Sequence, residues 1–419
     1  MNLKSTNMKQ KLIGPFTQLL PMTGIAVKGA VKDEELVVIE NGGIIVENNT
    51  IIAVGTYKEL LKQIDIKNTL LEEVIGDSVC FPGFIDSHTH ICFGGTRAND
   101  YAMRNAGKTY LEISKAGGGI WDTVTQTRKA SILELEDGIT KRANKHLKNG
   151  VTTIEVKSGY GLSVYEELKM LRAIKNVDNR IKADLVSTCL AAHMHPKDYP
   201  GTASEYLEEI SISLFPLLKE ERLTTRIDAF IEEGAFTAEV IAPYFKKAKE
   251  MGFTITVHAD QFSTGGSKVA VDFNAISADH LEASTTEEIN ILAKSNVIAT
   301  ALPGASIGLG CAFTPARKLL DAGGAVAIAS DHNPGSAPMG DLLTQASILG
   351  TFQKLSNAEV LSGITFRAAA ALGLKDRGVL NSGFMADFIA FPTANYKEIL
   401  YQQGQLKPNM VWKKGTKIA

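Results

Sequence analysis

Between about residue 130 and residue 373 the chain alternates short apolar, β-branched runs with longer segments of helical period, and few folds accept that alternation. A strand, a helix and a further strand form a parallel crossover, so the strands join one sheet and the helices cover it. Counting from Ile85, strands are expected at Gly150–Val156, Ala183–Leu190, Ile227–Ile231, Phe253–Val257, Ala275–Ala278, Val297–Ala301 and Val326–Ala329, eight with the first. Tyr165–Ile174, Ala238–Lys249 and Pro315–Ala322 read as helices between them, the last opened by a proline suited to a first turn and stopped by Gly323. Eight such units make an α/β fold, the TIM (β/α)8 barrel, whose active sites gather at the C-terminal ends of the strands.

A chain of 419 residues exceeds what one core organises, so a smaller second domain is expected. Residues 22–57 supply a β region, with strands at Val37–Ile39, Gly43–Val46 and Ile51–Val54 and a helix near Lys58–Ile64. A composition 44% apolar and 21% charged is that of an ordinary globular protein, and a net charge of −2 without a basic stripe argues against nucleic acid and for a small-molecule partner. Cys80, Cys92, Cys189 and Cys311 lie far apart with no Cys-x-x-Cys pair, as reduced thiols do. No apolar run has the length of a signal peptide or a membrane span, so a cytoplasmic protein with no membrane partner is expected.

The stretch Phe81–His90 runs from an apolar strand into His88-Thr89-His90. Side chains two apart on a strand share a face, so both imidazoles can aim at one ion while Thr89 points away. Hydrogen bonds explain one such pair equally well, and the other histidines decide the matter. His193 and His195 follow the third strand, His258 the fifth, His280 the sixth and His332 the eighth; of the 8 histidines, His146 alone lies elsewhere. Asp331 ends the eighth strand, where an unpaired carboxylate is costly to bury without a metal or a proton. Arg97 closes a glycine-bearing loop after His90 and is a candidate clamp for an anion.

At these residues the sequence resembles the amidohydrolase superfamily, in which a strand-one His-x-His, a strand-five histidine and a strand-eight aspartate hold a catalytic metal. The resemblance implies His88, His90, His258 and Asp331 as ligands of one divalent or trivalent ion per subunit, zinc or iron. Phe81–Arg97, Gly150–Leu162, Val257–Gln261, Ser277–His280 and Ser330–Ser336 look like the branch that hydrolyses 4-imidazolone-5-propanoate to N-formimidoyl-L-glutamate in histidine degradation. It further implies that Arg97, Tyr160 and His193 contact substrate, that Asn333, Gly335 and Ser336 hold the ring or product end, and that the enzyme is a homodimer. Gly383–Ala390 and Asn409–Trp412 resemble returning strands of a small β-sandwich, which divides the chain into 1–80 and 374–419 around a barrel of 81–373.

Three imidazoles and a carboxylate around an ion can acidify water and polarise an amide carbonyl. His280 is then the expected proton carrier, sharing the catalytic work with Asp331 and Gln261. Gln261 stands where many relatives carry glutamate; an amide is no base, so His280 or Asp331 carries more. The fourth strand contains no lysine to bridge two ions, which favours one metal. A deaminase would share the ligands, but Lys157–Gly161 and Asp331–Gly335 favour the imidazolone reaction, and the intact ligand set argues against a non-catalytic scaffold.

Overall fold

The computed structural model describes residues 10–109, 112–113 and 116–418. The N-terminal part contributes β1 (Gln10–Leu19), β2 (Ile39–Glu47), β3 (Thr50–Thr56), β4 (Thr69–Glu73) and β5 (Val79–Pro82). Next come β6 (Phe84–Asp86), β7 (Val151–Lys157), β8 (Asp184–Ala192), β9 (Arg226–Ile231), β10 (Thr254–Ala259), β11 (Ser277–His280), β12 (Ile298–Ala301) and β13 (Val326–Ile328), each at a position expected from the sequence. The chain ends with β14 (Phe388–Phe391), β15 (Met410–Lys413) and β16 (Thr416–Lys417).

Strands β6 to β13 pair in chain order in one parallel sheet, a nearly closed barrel with helices outside. Both chain ends build the second sheet, in the order β16-β15-β14-β5-β1-β2-β3 with β4 also on β1. Its centre is aromatic: Phe388 stacks on Trp412 at 4.8 Å, and Phe16 of β1 meets Trp412 edge-on at 5.9 Å. Strands β1, β4 and β16 were not expected. Gly14-Pro15 interrupts the pattern of β1, and its register shifts there, between Ile13 and Phe16. Strand β4 is mostly polar and exposed and pairs in parallel with the first half of β1. Val37 and Val38 precede β2, which starts at Ile39, and Val37 is exposed.

Local signals fix the helix starts. Ser131, Thr202, Thr285 and Ser356 each cap a helix, and a glutamate three residues on closes the capping box. The helix expected from Pro315 spans Ala316–Asp321, with Pro315 at the cap position just outside it. Gly83 carries the chain from the terminal sheet into the barrel. Its N–H donates to the Asp387 carbonyl at 2.9 Å, and a Cβ there would collide with the Thr152 side chain.

The barrel closes just beyond the ends of β6 and β13. Asp331 N–H donates to the His88 carbonyl at 3.0 Å, and His90 N–H donates to the His332 carbonyl at 3.0 Å. Asp86 supports the seam by accepting Ser330 N–H at 2.9 Å. Lower down, Ile85 N–H turns to the carbonyl of Ile364, behind the helix Asn357–Gly363.

An ionic cluster ties the C-terminal segment to the barrel. Asp184, which opens β8, lies 2.7 Å from Lys413, 2.7 Å from Arg377 and 3.1 Å from Lys414. Burial pushes the Asp184 carboxyl upward, but Lys413 and Arg377 overcome it and hold the pKa down at about 2. The folded value lies below the unfolded one, so the stabilisation is complete above about pH 4 and fades as the pH falls toward 2. Asp184→Asn should therefore cost about 1–3 kcal/mol at pH 7 and almost nothing near pH 2, read as the separation of denaturant midpoints between variant and parent at each pH.

Candidate metal centre

His88 and His90 follow β6 in extended backbone, and the residue between them holds their alternation. Thr89 points away, donating its hydroxyl to the Glu155 carbonyl at 2.6 Å and its N–H to Glu155 Oε2 at 3.2 Å. The Lys157 N–H returns to the Thr89 carbonyl at 3.0 Å. The two imidazoles thus share a face, with their Nε2 atoms 3.2 Å apart. His258, on β10, brings its Nε2 to 3.3 Å from that of His90, and Asp331 Oδ1 lies 3.7 Å and 3.6 Å from His88 and His90 Nε2. All four side chains are buried.

This arrangement fits a cation. Burial and the neighbouring positive groups push His88 and His90 well below the usual imidazole pKa, so both are neutral. His88 Nδ1 lies 2.7 Å from Asp279 Oδ2, a carboxylate oxygen that requires the proton on Nδ1 and leaves the Nε2 lone pair facing the cluster. Two triads that share His88, one with His90 and Asp331 and one with His258 and His280, each bring their ligand atoms within 4.8 Å of one another, as ligands of a metal do.

His280 ends β11 with its ligand atom within 4.8 Å of those of His88 and His258. Burial works against its protonation, but Glu282, 3.4 Å from Nδ1, and Asp331 outweigh burial and raise its pKa. The backbone is strained here: φ is 87° at His280, 71° at Leu281 and 51° at Asp331.

Arg97 lies beside this cluster with its guanidinium against Gly335, and its Nε is held by Asp100 Oδ2 at 2.7 Å. The Tyr160 ring centre is 5.9 Å from that of His90 and 5.4 Å from that of His193. Burial and Asp331 raise the Tyr160 pKa, so it stays a phenol. His193 stacks on His90 at 5.5 Å and 20°, and its Nδ1 meets the Gly159 carbonyl at 2.9 Å, which leaves Nε2 as an acceptor. Burial and His258 push its pKa to about 3.

Asn333 is committed inside its own loop. Its Nδ2 donates to the Asp331 carbonyl at 2.8 Å and to Ser336 Oγ at 2.9 Å, while Oδ1 accepts Gly335 and Ser336 N–H at 2.7 and 2.8 Å. Ser336 Oγ lies 3.4 Å from Asp331 Oδ2. Gln261 is half-buried in the loop after β10, and among the described residues no side-chain hydrogen bond links it to the histidines. Glu232 holds that loop by accepting Phe262 and Ser263 N–H at 2.8 and 3.2 Å.

Of the seven histidines expected at the barrel mouth, five converge. His195 turns to the Gly201 carbonyl at 3.1 Å, and His332 pairs through Nδ1 with Nε2 of His146 at 2.9 Å. Both lie in loops beyond the strands and are held by partners outside the cluster.

Two groups of polar residues were missed from the sequence. Beneath the cluster, Lys157 Nζ lies 2.7 Å from Glu155 and 2.8 Å from Asp228, and Asp228 Oδ2 lies 3.0 Å from His258 Nδ1. Charges at alternate positions of otherwise apolar strands were the signal. Glu167, a first-turn residue of the helix Val164–Asp178, accepts N–H from Gly159, Gly161 and Leu162 at 3.1, 2.8 and 2.8 Å. It thereby braces the loop that presents Tyr160, where Gly159 has φ 101°.

With this geometry in place, comparison with known proteins defines the class. Residues 79–418 match the model of the amidohydrolase family. A triazine hydrolase variant superimposes with TM-score 0.75 at 16% identity, covering 98% of this chain and 94% of that one. A zinc-bound adenosine deaminase from Xanthomonas campestris gives 0.71 at 18%, covering 97% and 92%, and these two likenesses are of fold alone. The chain belongs to the amidohydrolase family, metal-dependent hydrolases that act on C–N bonds. Its curated relatives narrow the family to the imidazolonepropionases. Those of Bacillus cereus (strain AH187) and Bacillus anthracis are each 40% identical over 386 residues, 91% of this chain and 90% of theirs.

Glu167→Gln tests the bracing of the Tyr160 loop. An amide offers one acceptor oxygen where the carboxylate offers two, so at least one buried N–H loses its partner. A loss of about 1–3 kcal/mol in unfolding free energy is expected, measured by denaturant titration.

Proposed function

We propose that this chain is an imidazolonepropionase, which hydrolyses the cyclic amide C–N bond of 4-imidazolone-5-propanoate to give N-formimidoyl-L-glutamate. Water adds its oxygen to the ring carbonyl carbon, the C–N bond breaks, and the nitrogen takes up a proton. The carrying observation is the 40% identity to imidazolonepropionases over 91% of the chain. The placing of Arg97, Tyr160 and His193 around the histidine–aspartate cluster supports it.

In this reading His88, His90, His258 and Asp331 hold one divalent ion, zinc or iron. Bound there, the ion supplies Lewis acidity toward the carbonyl and the attacking water. Arg97 keeps its Nη groups for the propanoate carboxylate because Asp100 takes Nε. Tyr160 donates its phenol proton to the substrate, and His193 offers Nε2 as an acceptor. His280, tuned upward by Glu282, accepts the water proton and returns it to the leaving nitrogen. Gln261 hydrogen-bonds substrate or water and moves no proton. Asn333 serves by shaping the loop that presents Gly335 and Ser336 to the ring end. No helix among the described residues is long and apolar enough to cross a membrane, in keeping with a cytoplasmic enzyme.

The test is turnover of imidazolonepropanoate by protein stripped of metal and reloaded with zinc or iron, followed by loss of the imidazolone chromophore. Turnover of guanine or cytosine in its place would overturn the assignment. Arg97→Ala should raise KM about ten- to a hundredfold with metal content unchanged, as loss of a charge-assisted bond worth about 1.5–3 kcal/mol requires. His280→Asn should keep metal and KM, lower kcat by about 10² to 10⁴, and lose or shift the acidic limb of the pH–rate profile.

A further inference from the structure

Directly beneath the histidine cluster lies a cation that the hydrolytic reading does not use. Lys157 ends β7 with no exposed surface. Its Nζ lies 2.7 Å from Glu155 Oε1, 2.8 Å from Asp228 Oδ2 and 3.8 Å from Asp279 Oδ2. The same two aspartate oxygens face candidate ligands: Asp279 Oδ2 is 2.7 Å from His88 Nδ1, and Asp228 Oδ2 is 3.0 Å from His258 Nδ1. Glu155 is bound to the third element of the site, since its Oε2 accepts the Thr89 N–H between His88 and His90.

We propose that Lys157 is a positioning residue for the metal: one buried ammonium aims the two aspartates that orient His88 and His258, and through Glu155 it holds the backbone between His88 and His90. This rests on the ligand set proposed above. Asp228 and Asp279, both buried, repel each other, and a cation shared by both draws their oxygens toward one point. Each imidazole follows its carboxylate, because the Nδ1 contact fixes the ring rotation and hence the direction of Nε2. Without the ammonium, Asp279 Oδ2 keeps only His88 Nδ1 and the Thr256 hydroxyl that already donates to it at 3.2 Å, and Asp228 is left with His258 alone. The two Nε2 atoms then no longer meet at one ion. The Lys157 ammonium makes its ion pairs with the carboxylates, and they carry its positioning effect to the rings.

Lys157→Met keeps most of the side-chain volume and removes the charge. Lys157→Met/Glu155→Gln, with Glu155→Gln as its reference, also removes the carboxylate farthest from the rings, so that less uncompensated charge opposes folding. Zinc affinity is measured by competition with a chromophoric chelator, and ligand geometry by the visible spectrum of the cobalt(II)-loaded protein. The expected result is folded protein whose zinc dissociation constant rises about ten- to a hundredfold, with a changed cobalt spectrum. Wild-type affinity and spectrum in a folded variant would overturn the proposal, as would failure of both variants to fold, which would make Lys157 a residue of the fold alone. His88→Ala separates the two readings. If it still binds one equivalent of zinc, the ligand set is wrong; if it binds none while the Lys157 variants bind normally, only the role of Lys157 falls.

Discussion

The seam between the first and eighth barrel strands governs the rest of the structure, because the residues that close it also form the site. Asp331 N–H on the His88 carbonyl and His90 N–H on the His332 carbonyl are barrel hydrogen bonds made by candidate ligands. The sheet cannot close in another register without separating His88 and His90 from Asp331. Their relative positions are therefore set by backbone geometry before any metal is considered, which is the preorganisation a metal site requires. The cost is local: Asp331 adopts positive φ, a conformation worth about 1–3 kcal/mol of strain in residues other than glycine. Pairing on either side of the seam keeps the strain in place.

Below the seam the barrel departs from an apolar core. Glu155, Lys157, Asp228 and Asp279 are all buried, and Thr256, Ser277 and Thr188 continue the polar layer. Buried ion pairs seldom stabilise a fold over well-packed apolar residues, so their presence calls for another reason. The contacts supply one, since two of the three carboxylates end on imidazole Nδ1 atoms. Burial by itself would raise Asp228, but His258 and Lys157 overcome it and hold the carboxyl well below its usual range. The layer keeps the Asp228 carboxylate ionised beside the His258 ring.

What the sequence revealed follows from which forces are local. All eight barrel strands were legible because each is an apolar run bounded by turn signals, and capping boxes such as Ser131–Glu134 mark helix starts within four residues. Strands β1 and β4 escaped because their pairing is non-local: β4 is mostly polar and exists only as a partner of β1. His88, His90, His193, His258 and His280 were found by counting strand ends, whereas the directions of His195 and His332 depend on loop paths no periodicity describes. Asn333 was read as a substrate contact, while its amide is spent on the backbone of its own loop. Glu167 stands in the sequence without any signal of the loop it braces, and Lys157 is marked only by the alternation of charge with Glu155.

The two halves of the site are held by different means, and the difference matches their tasks. The metal-binding half sits at the ends of strands, where a sheet fixes each Cα and second partners fix each ring. The half proposed to bind the anion sits on loops, and a buried side-chain acceptor takes backbone N–H in each. Asp100 takes Gly119 N–H as well as Arg97 Nε, Glu167 takes three N–H groups under Tyr160, and Asn333 takes two under Gly335 and Ser336. A loop braced through its backbone presents side chains without using their hydrogen-bonding groups, and in the proposed reading the Arg97 Nη atoms and the Tyr160 hydroxyl serve the ligand. Chemistry is thereby tied to the barrel and recognition to the loops. A change in a loop brace should then alter substrate affinity before metal binding, whereas a change in the polar layer should act in the opposite order.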